Sequence, residues 1–354
     1  ISNRFRFASH ARFSSSIDRT KQNALYTSYA KIKAFEGSDQ QKDPTLSSQS
    51  PSPLLSHLDL LNKDNTLKAI DWTNWDSLRE IFNKIIVYYI NDFCHDFAYK
   101  HANNKIIAQD FIKRTQYMLI KTNMGGKNNR GLLHAVSLML LRQNQRKPLT
   151  ATDVHNAFTI ALCIEALQSF YLVMDDVVDG SLTRRGQPAW YRFPNVGLKA
   201  INDGPIIETW FFWLINHRLM HDGNRVLIER INELFREVNM LTSAGQAIDL
   251  ELVKDADQMK RVYTLQRYET IARYKCSYYS FYLPYAAALY LAGYDDKRKA
   301  EHSQLRKELE VQCSDHESAV DGVVDDAFLF YLCRKVSDDM GIKFQIDDDY
   351  LDCF

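Results

Sequence analysis

Turn residues and cross-links are scarce in this chain: 354 residues include only 13 Gly and 8 Pro. Long stretches run without a turn signal, which disfavours many short strands and favours helices. The six cysteines (Cys94, Cys163, Cys276, Cys313, Cys333 and Cys353) form no CxxC pair and no short-range framework. In a chain of this length that excludes a disulfide scaffold and predicts a reducing compartment. Net charge is absent too, since 44 Lys and Arg match 44 Asp and Glu. No overall field draws the chain to nucleic acid or to an acidic membrane, so any anion it holds must be captured locally. No run of about 18 or more uncharged apolar residues occurs, so no transmembrane segment is expected and the protein is predicted to be soluble. No repeat of fixed period suggests a solenoid.

What is present is enough for a core, because 45% of the residues are apolar. The first residues carry Arg4, Arg6, Arg12 and Arg19, interleaved with serines and with Phe5, Phe7 and Phe13, and no acid precedes Asp18. This composition over residues 1–22 fits a mitochondrial transit peptide or a disordered basic tail, and so a mitochondrial or a cytoplasmic protein. Residues 23–70 read as a flexible N-terminal region, with a polar linker of three prolines at 37–53. The packed domain is expected over 71–354. Its first helix is signalled from Ser77, with Glu80 completing a capping box and apolar residues at Leu78, Ile81, Phe82, Ile85, Ile86 and Tyr89. A second runs from Asp153 to Met174, and similar patterns span 206–252, 258–292 and 296–312. The fold class predicted is all-α, a bundle of mostly antiparallel helices around a central cavity.

Chemistry is concentrated in two aspartate clusters. Asp175, Asp176 and Asp179 stand at i, i+1 and i+4, so on a helix Asp175 and Asp179 share a face about 6 Å apart along the axis. Asp348, Asp349 and Asp352 repeat that spacing in FQIDDDYLD. One DDxxD alone is either a solvated helix end or a divalent-ion site. Two can face each other across a bundle, and Mg2+ prefers to join one or two carboxylates to phosphate oxygens, so the pair suits a diphosphate ester.

Basic residues flank the first cluster. Thr183-Arg184-Arg185-Gly186 follows it, bringing two permanent cations with forked donors. Upstream, GGKNNRG (125–131) opens a helical stretch with Lys127 and Arg130 one turn apart, either a second anion site or a loop with a solvated basic face. Gln168, Tyr171 and Asp175 are spaced by three and four residues, which sets Tyr171 one turn below the first carboxylate with Phe170 beside it. The two rings are read as the floor of a pocket for a short C10 or C15 tail, the alternative being ordinary core aromatics.

In this order and spacing, GGKNNRG (125–131), LQSFYLVMDDVVDGSLTRRGQPAWY (167–191), GQAIDL (245–250), RYKCSYYSFYLPYAAALYLAG (273–293) and FQIDDDYLD (344–352) resemble the short-chain trans-prenyl diphosphate synthases, nearest to the farnesyl diphosphate branch. The resemblance implies the isoprenoid synthase fold. It implies Mg2+, three ions, at Asp175, Asp176, Asp179, Asp348, Asp349 and Asp352, with Asp249 supporting the metal waters. It implies that Lys127, Arg130, Gln168 and Arg185 hold the diphosphate of isopentenyl diphosphate, while Arg184, Lys275, Gln246 and Gln345 face an allylic diphosphate. A homodimer is implied as well.

This sequence also departs from the family's pattern. Cys276 follows Lys275 where the family usually carries Thr, exchanging a hydroxyl for a weaker thiol dipole. Asp347 adds a third consecutive acid where Gln is common and is read as solvated. Residues 313–337 have no family counterpart and are read as an insertion interrupting the helices before the second cluster. Asp325-Asp326 lacks an i+4 carboxylate and is not read as a third metal site. The family continues beyond the position of Phe354 with further helices, so the bundle is expected to lack its C-terminal wall. Two rivals remain beside prenyl transfer: a terpene synthase acting without isopentenyl diphosphate, and a catalytically weak partner subunit.

Overall fold

The computed structural model describes residues 70–101, 103–104, 106, 110–220, 225–251, 264–296 and 326–353, with Asp352 and Cys353 described by backbone alone. The expectations for the N-terminal segment, for the helix at 296–312 and for residues 313–325 lie outside the described residues. The chain is built of helices: α1 (Trp75–Lys100), α2 (Ile112–Asn123), α3 (Asn129–Asn144), α4 (Ala151–Asp179), α5 (Ala200–Arg218), α6 (Arg225–Glu251), α7 (Leu265–Ile271), α8 (Leu283–Ala292) and α9 (Asp326–Cys353). Between α7 and α8 the helix continues as a π-helix, Ala272–Tyr282. Among the described residues, strand is confined to a two-residue hairpin, β1 (Thr183–Arg184) and β2 (Gln187–Pro188).

Local chemistry explains the helix ends. α1 begins at Trp75, earlier than the Ser77 signal, because the Asn74 side chain accepts from the Asp76 and Ser77 amides at 3.1 and 3.0 Å. At α4, Thr150 and Asp153 form a reciprocal capping box, and Gly180 stops the helix in the left-handed region with φ 64°. The expected continuous helix over 206–252 is instead two, α5 and α6. At the break, the buried Asn156 amide accepts from the Met220 N–H at 2.9 Å and donates to its carbonyl at 2.8 Å, replacing the lost helical partners. Residues 326–337, read as an insertion, are the opening turns of α9, so the run into the second cluster is one uninterrupted helix.

α4 is the centre of the bundle. Every residue from Asp153 to Leu167 is buried, and the helix packs against α1, α2, α3, α5 and α8. A helix apolar on all sides has to be enclosed. α4 is long and apolar enough to cross a membrane by length and composition, and 72% of the relevant window is buried inside the fold. Truncating Leu162, which is fully buried, to Ala would cost about 2–5 kcal/mol.

The π-helix is gripped by α6 on one side and α9 on the other. Both contacts depend on glycine. A Cβ on Gly245 of α6 would lie 2.3 Å from the Lys275 nitrogen, and one on Gly341 of α9 would lie 1.9 Å from Ser277 Oγ. These approaches bring Asp249, Lys275 and the α9 carboxylates together at one end of the bundle.

Candidate active site

The first cluster occupies the last turn of α4. Asp175 accepts from Gln246 Nε2 at 2.7 Å. Asp176 turns inward, buried, with one oxygen taking Arg184 Nε at 3.0 Å and Nη2 at 2.5 Å. Asp179 lies at the exposed end, and partial desolvation together with the Asp175 charge raises its carboxyl pKa. Lys275 reaches this face from the π-helix and donates to Asp249 at 2.6 Å. Burial lowers the Lys275 pKa, but Asp249, Asp175 and Asp179 outweigh it and raise the value overall.

The second cluster faces the same space from α9. Asp349 accepts from Tyr268 Oη at 2.7 Å and from Gln345 Nε2 at 2.9 Å. The Asp348 pKa is raised by desolvation and by Asp349, against the pull of Arg130, Lys275 and Arg184. Those three cations bear on Asp348 from α3, the π-helix and the hairpin, which puts Asp348 opposite the first cluster. Asp347 pairs with Lys343 along the exposed side of α9, in keeping with the solvated reading. Asp352 belongs to the backbone of α9, and its side chain is outside the described residues.

Among the described residues no three His, Cys, Asp or Glu side chains converge on a ready-made metal cage. The donor set still fits a hard divalent ion. All the donors are carboxylate oxygens carried by several helices, and at Asp179 and Asp348 desolvation, with a neighbouring carboxylate, raises the carboxyl pKa.

A second group of cations gathers where α3, α4 and the hairpin meet. The β1–β2 register pairs Arg184 with Gln187, leaving Arg185 and Gly186 as a two-residue loop with φ of 53° and 73°. Two consecutive positive φ values define the turn that suits a tight hairpin. Arg185 pays for this with backbone strain. In return its guanidinium donates to the Thr122 and Met124 carbonyls at 3.0 and 3.3 Å. Gly126 makes room, since a Cβ there would stand 2.9 Å from the Arg185 Cζ.

Arg130, on α3, donates to Ser280 Oγ at 2.9 Å and Tyr279 Oη at 3.1 Å, with its guanidinium 4.8 Å from the Tyr279 ring centre. Gln168, with its amide oriented to satisfy both neighbours, accepts from Arg130 at 3.0 Å and donates to Glu165 at 3.1 Å. Lys127 is exposed at the loop rim, where its carbonyl accepts from Arg79 at 2.8 Å. Of the four residues expected to share an anion site, Arg130, Gln168 and Arg185 meet around Glu165, and the Lys127 side chain stays outside that knot.

Glu165 was missed in the sequence. It is buried, accepts the Gly131 N–H at 2.8 Å, and has its pKa raised by burial against Gly131, Arg130 and Arg185. The signal was available: Glu165 is the only Asp, Glu, Lys or Arg between Asp153 and Asp175, and a lone acid inside an apolar helix has to be paired. Tyr268, Tyr279, Asn239 and Ser243 were missed as well, and nothing in their local pattern marks them. The Arg185 pKa is lowered by burial and by Arg184 and Arg130, with Glu165 opposing. That corner carries more positive charge than Glu165 offsets and would welcome an anion.

Phe170 and Tyr171, the residues read as a pocket floor, precede the first carboxylate by five and four residues on α4. Phe170 and Tyr171 meet edge to face at 5.0 Å, and Tyr171 lies 6.0 Å from Tyr279. Cys276 is buried, with its sulfur 3.7 Å from Ser280 Oγ, and burial raises its thiol pKa. A separate groove of about 660 Å³ lies away from the carboxylates, lined by Glu208, Phe212, Trp213 and Arg236 of α5 and α6 among others.

A polyprenyl synthetase family model matches residues 113–311, more than half of the chain. The chain is 34% identical over 279 residues to farnesyl pyrophosphate synthase 1, mitochondrial, of Arabidopsis thaliana, which covers 78% of this chain and 61% of that protein. It is 36% identical over 245 residues to human farnesyl pyrophosphate synthase, covering 69% of this chain and 50% of that one. Against farnesyl pyrophosphate synthase 1 of Lupinus albus it is 32% identical, covering 78% and 69%. Among solved structures it is similar to Trypanosoma brucei farnesyl diphosphate synthase, with TM-score 0.59 and 25% identity over 78% of this chain and 70% of the other. The chain belongs to the polyprenyl synthetase family and has the all-α isoprenoid synthase fold expected of it. It spans 61% of the length of the Arabidopsis protein and 50% of the human one.

Proposed function

We propose that this protein is a prenyltransferase that joins isopentenyl diphosphate to dimethylallyl or geranyl diphosphate, giving geranyl or farnesyl diphosphate. The observation that carries this reading is the division of the cations into two groups. Arg130 and Arg185 gather with Gln168 around Glu165, while Lys275 and Arg184 sit among the carboxylates. An enzyme that only ionises one diphosphate has no use for the first group, which disfavours a terpene synthase. The similarity to proteins named farnesyl pyrophosphate synthase supports the same reading.

Asp175, Asp179, Asp249, Asp348 and Asp349, with Asp176 and Asp352 on the same helices, would hold Mg2+, three ions in this reading, together with diphosphate oxygens. When bound, Mg2+ supplies the positive charge that eases departure of the diphosphate. Lys275 donates to the same leaving oxygens, and Arg184 exchanges Asp176 for one of them. Gln246 and Gln345 orient Asp175 and Asp349 by their amide hydrogen bonds. The allylic C–O bond breaks with its electron pair on the diphosphate. The double bond of isopentenyl diphosphate, held by Arg130, Gln168 and Arg185 with Lys127 closing from the rim, then forms the new C–C bond. The proton lost from the adjacent carbon passes to an oxygen of the released diphosphate. Rings of Phe170, Tyr171 and Tyr279 keep water from the carbocation.

We further propose a homodimer on the strength of the family resemblance. The arginine-rich N-terminal composition and the mitochondrial relative support a mitochondrial location over a cytoplasmic one. The deciding experiment incubates the purified chain with Mg2+, dimethylallyl or geranyl diphosphate, and labelled isopentenyl diphosphate. A C10 or C15 labelled product is expected. Product formed equally well without isopentenyl diphosphate would identify a terpene synthase, and no turnover of either substrate would identify a partner subunit.

A further inference from the structure

α6 carries a row of polar side chains one turn apart, Asn239, Ser243 and Gln246, and all three reach α4. Gln246 goes to the metal-facing Asp175, but the other two go to Tyr171, one turn below it. The Tyr171 hydroxyl has Asn239 Oδ1 at 2.5 Å, the Asn239 carbonyl at 2.7 Å and Ser243 Oγ at 3.2 Å. The Asn239 amide is itself set, because its Nδ2 donates to Glu208 Oε1 at 2.6 Å, which leaves the oxygen as the atom turned to Tyr171. Neither the carboxylate site nor the cation cluster uses this chain of contacts.

A buried aromatic ring without a polar handle is held only by packing and can swing about its first two torsions where one side is open. Tyr171 is packed by Phe170 and Tyr279 but is only partly buried, so packing leaves one side of the ring accessible. The hydroxyl contacts supply what packing does not: they fix the far end of the ring to α6. We infer that Asn239 and Ser243 are positioning residues that lock Tyr171 across the pocket and thereby set the length of the product. This rests on the prenyl-transfer reading and deepens it. With the tether in place, the ring blocks a growing tail about one turn below the carboxylates. With it released, the ring swings aside and admits one more isoprene unit.

The test compares Tyr171→Phe with Tyr171→Ala, and with the double variant Asn239→Ala/Ser243→Ala, in the full chain with Mg2+ and labelled isopentenyl diphosphate. The products are resolved by carbon number, and kcat and KM are measured for the first condensation. Tyr171→Phe keeps the ring and removes only the tether. It should raise the share of product one isoprene unit longer than the parent's roughly fivefold, the population change that one net hydrogen bond commands. The double variant leaves the Asn239 carbonyl as acceptor, so its lengthening should be smaller but in the same direction. Parental product distributions in both Tyr171→Phe and the double variant, with longer product from Tyr171→Ala, would overturn the tether and leave the ring alone as the determinant. A parent chain that consumes no isopentenyl diphosphate would overturn the prenyl-transfer reading itself, and the tether with it.

Discussion

The two aspartate clusters share one spacing and live in unlike surroundings. The first closes α4, a helix capped at both ends and buried over most of its length, and one of its carboxylates is already locked to Arg184. The second rides on α9, which is held on one side by the π-helix and shows Leu332, Val336, Ile346, Tyr350 and Leu351 to solvent on others. The same i, i+1, i+4 pattern is therefore built into a helix enclosed by five others in one place, and carried in the other by a helix packed mainly on the π-helix, with smaller contacts to α8 and α6. Motif spacing defines which side chains share a face, whereas the packing behind that face decides how firmly they are held.

Breaking each cluster in turn should expose this difference. Asp175→Asn removes a carboxylate from the rigid side and is expected to lower kcat/KM by about 10³, against about 10² for Asp348→Asn on α9, measured at saturating Mg2+. Comparable losses would mean the two sides are equally preorganised.

The next largest effect should come from Glu165→Ala. It leaves Arg130 and Arg185 without their buried counter-charge and the Gly131 N–H without its acceptor. A loss of about 3–5 kcal/mol is expected in urea unfolding, because removing one partner strands the others. A loss under about 1 kcal/mol would show that this corner is not part of the rigid frame.

Acid should act on the well-packed half. His134 of α3 is fully buried, donates to the Pro284 carbonyl at 2.9 Å, and is pushed by burial to a pKa of about 4 from the usual 6.5. Between those values the unfolded chain binds a proton that the folded chain does not, so stability is present above pH 6.5 and is lost as pH falls toward 4. The slope should approach about 1.4 kcal/mol per pH unit, and His134→Gln should flatten it. An unchanged slope in that variant would assign the acid sensitivity elsewhere.

The smallest effect sharpens the contrast. Gly341→Ala forces α9 away from Ser277, where the added Cβ would otherwise overlap the side chain. It should cost about 1–3 kcal/mol and raise the Mg2+ concentration needed for activity, while the cation cluster around Glu165 keeps its affinity for inorganic diphosphate, measured by calorimetry. Loss of diphosphate binding together with Mg2+ dependence would show that the two regions are not separable.

Much of this was legible from residue order. The α4 helix, its end at the first cluster and the all-α class follow from periodicity and spacing, which are local properties of the chain, and the family was legible through the resemblance of its motifs. The one-turn relation of Tyr171 to Asp175 was legible for the same reason. The break between α5 and α6 was legible too, in the turn signal Asp222-Gly223-Asn224 with no apolar residue between Met220 and Val226. What the local sequence did not show is that the distant His155 and Asn156 secure the Arg218 and Met220 backbone. The pairing of Asp176 with Arg184 was equally hidden, since it depends on the hairpin turning back on the end of α4.

By itself, then, the sequence determined which side chains lie on one helical face: Asp175 with Asp179, Asp348 with Asp352, and Tyr171 one turn below the first pair. Only the tertiary structure decided which faces meet. Lys275 comes to Asp249 because Gly245 lets two backbones approach closely, Arg130 and Arg185 are drawn around Glu165, and Asn239 and Ser243 reach across to Tyr171. Helical periodicity is written within a few residues of chain. Contacts between helices depend on the shape and charge of elements far apart in sequence, and these take form only when the bundle closes.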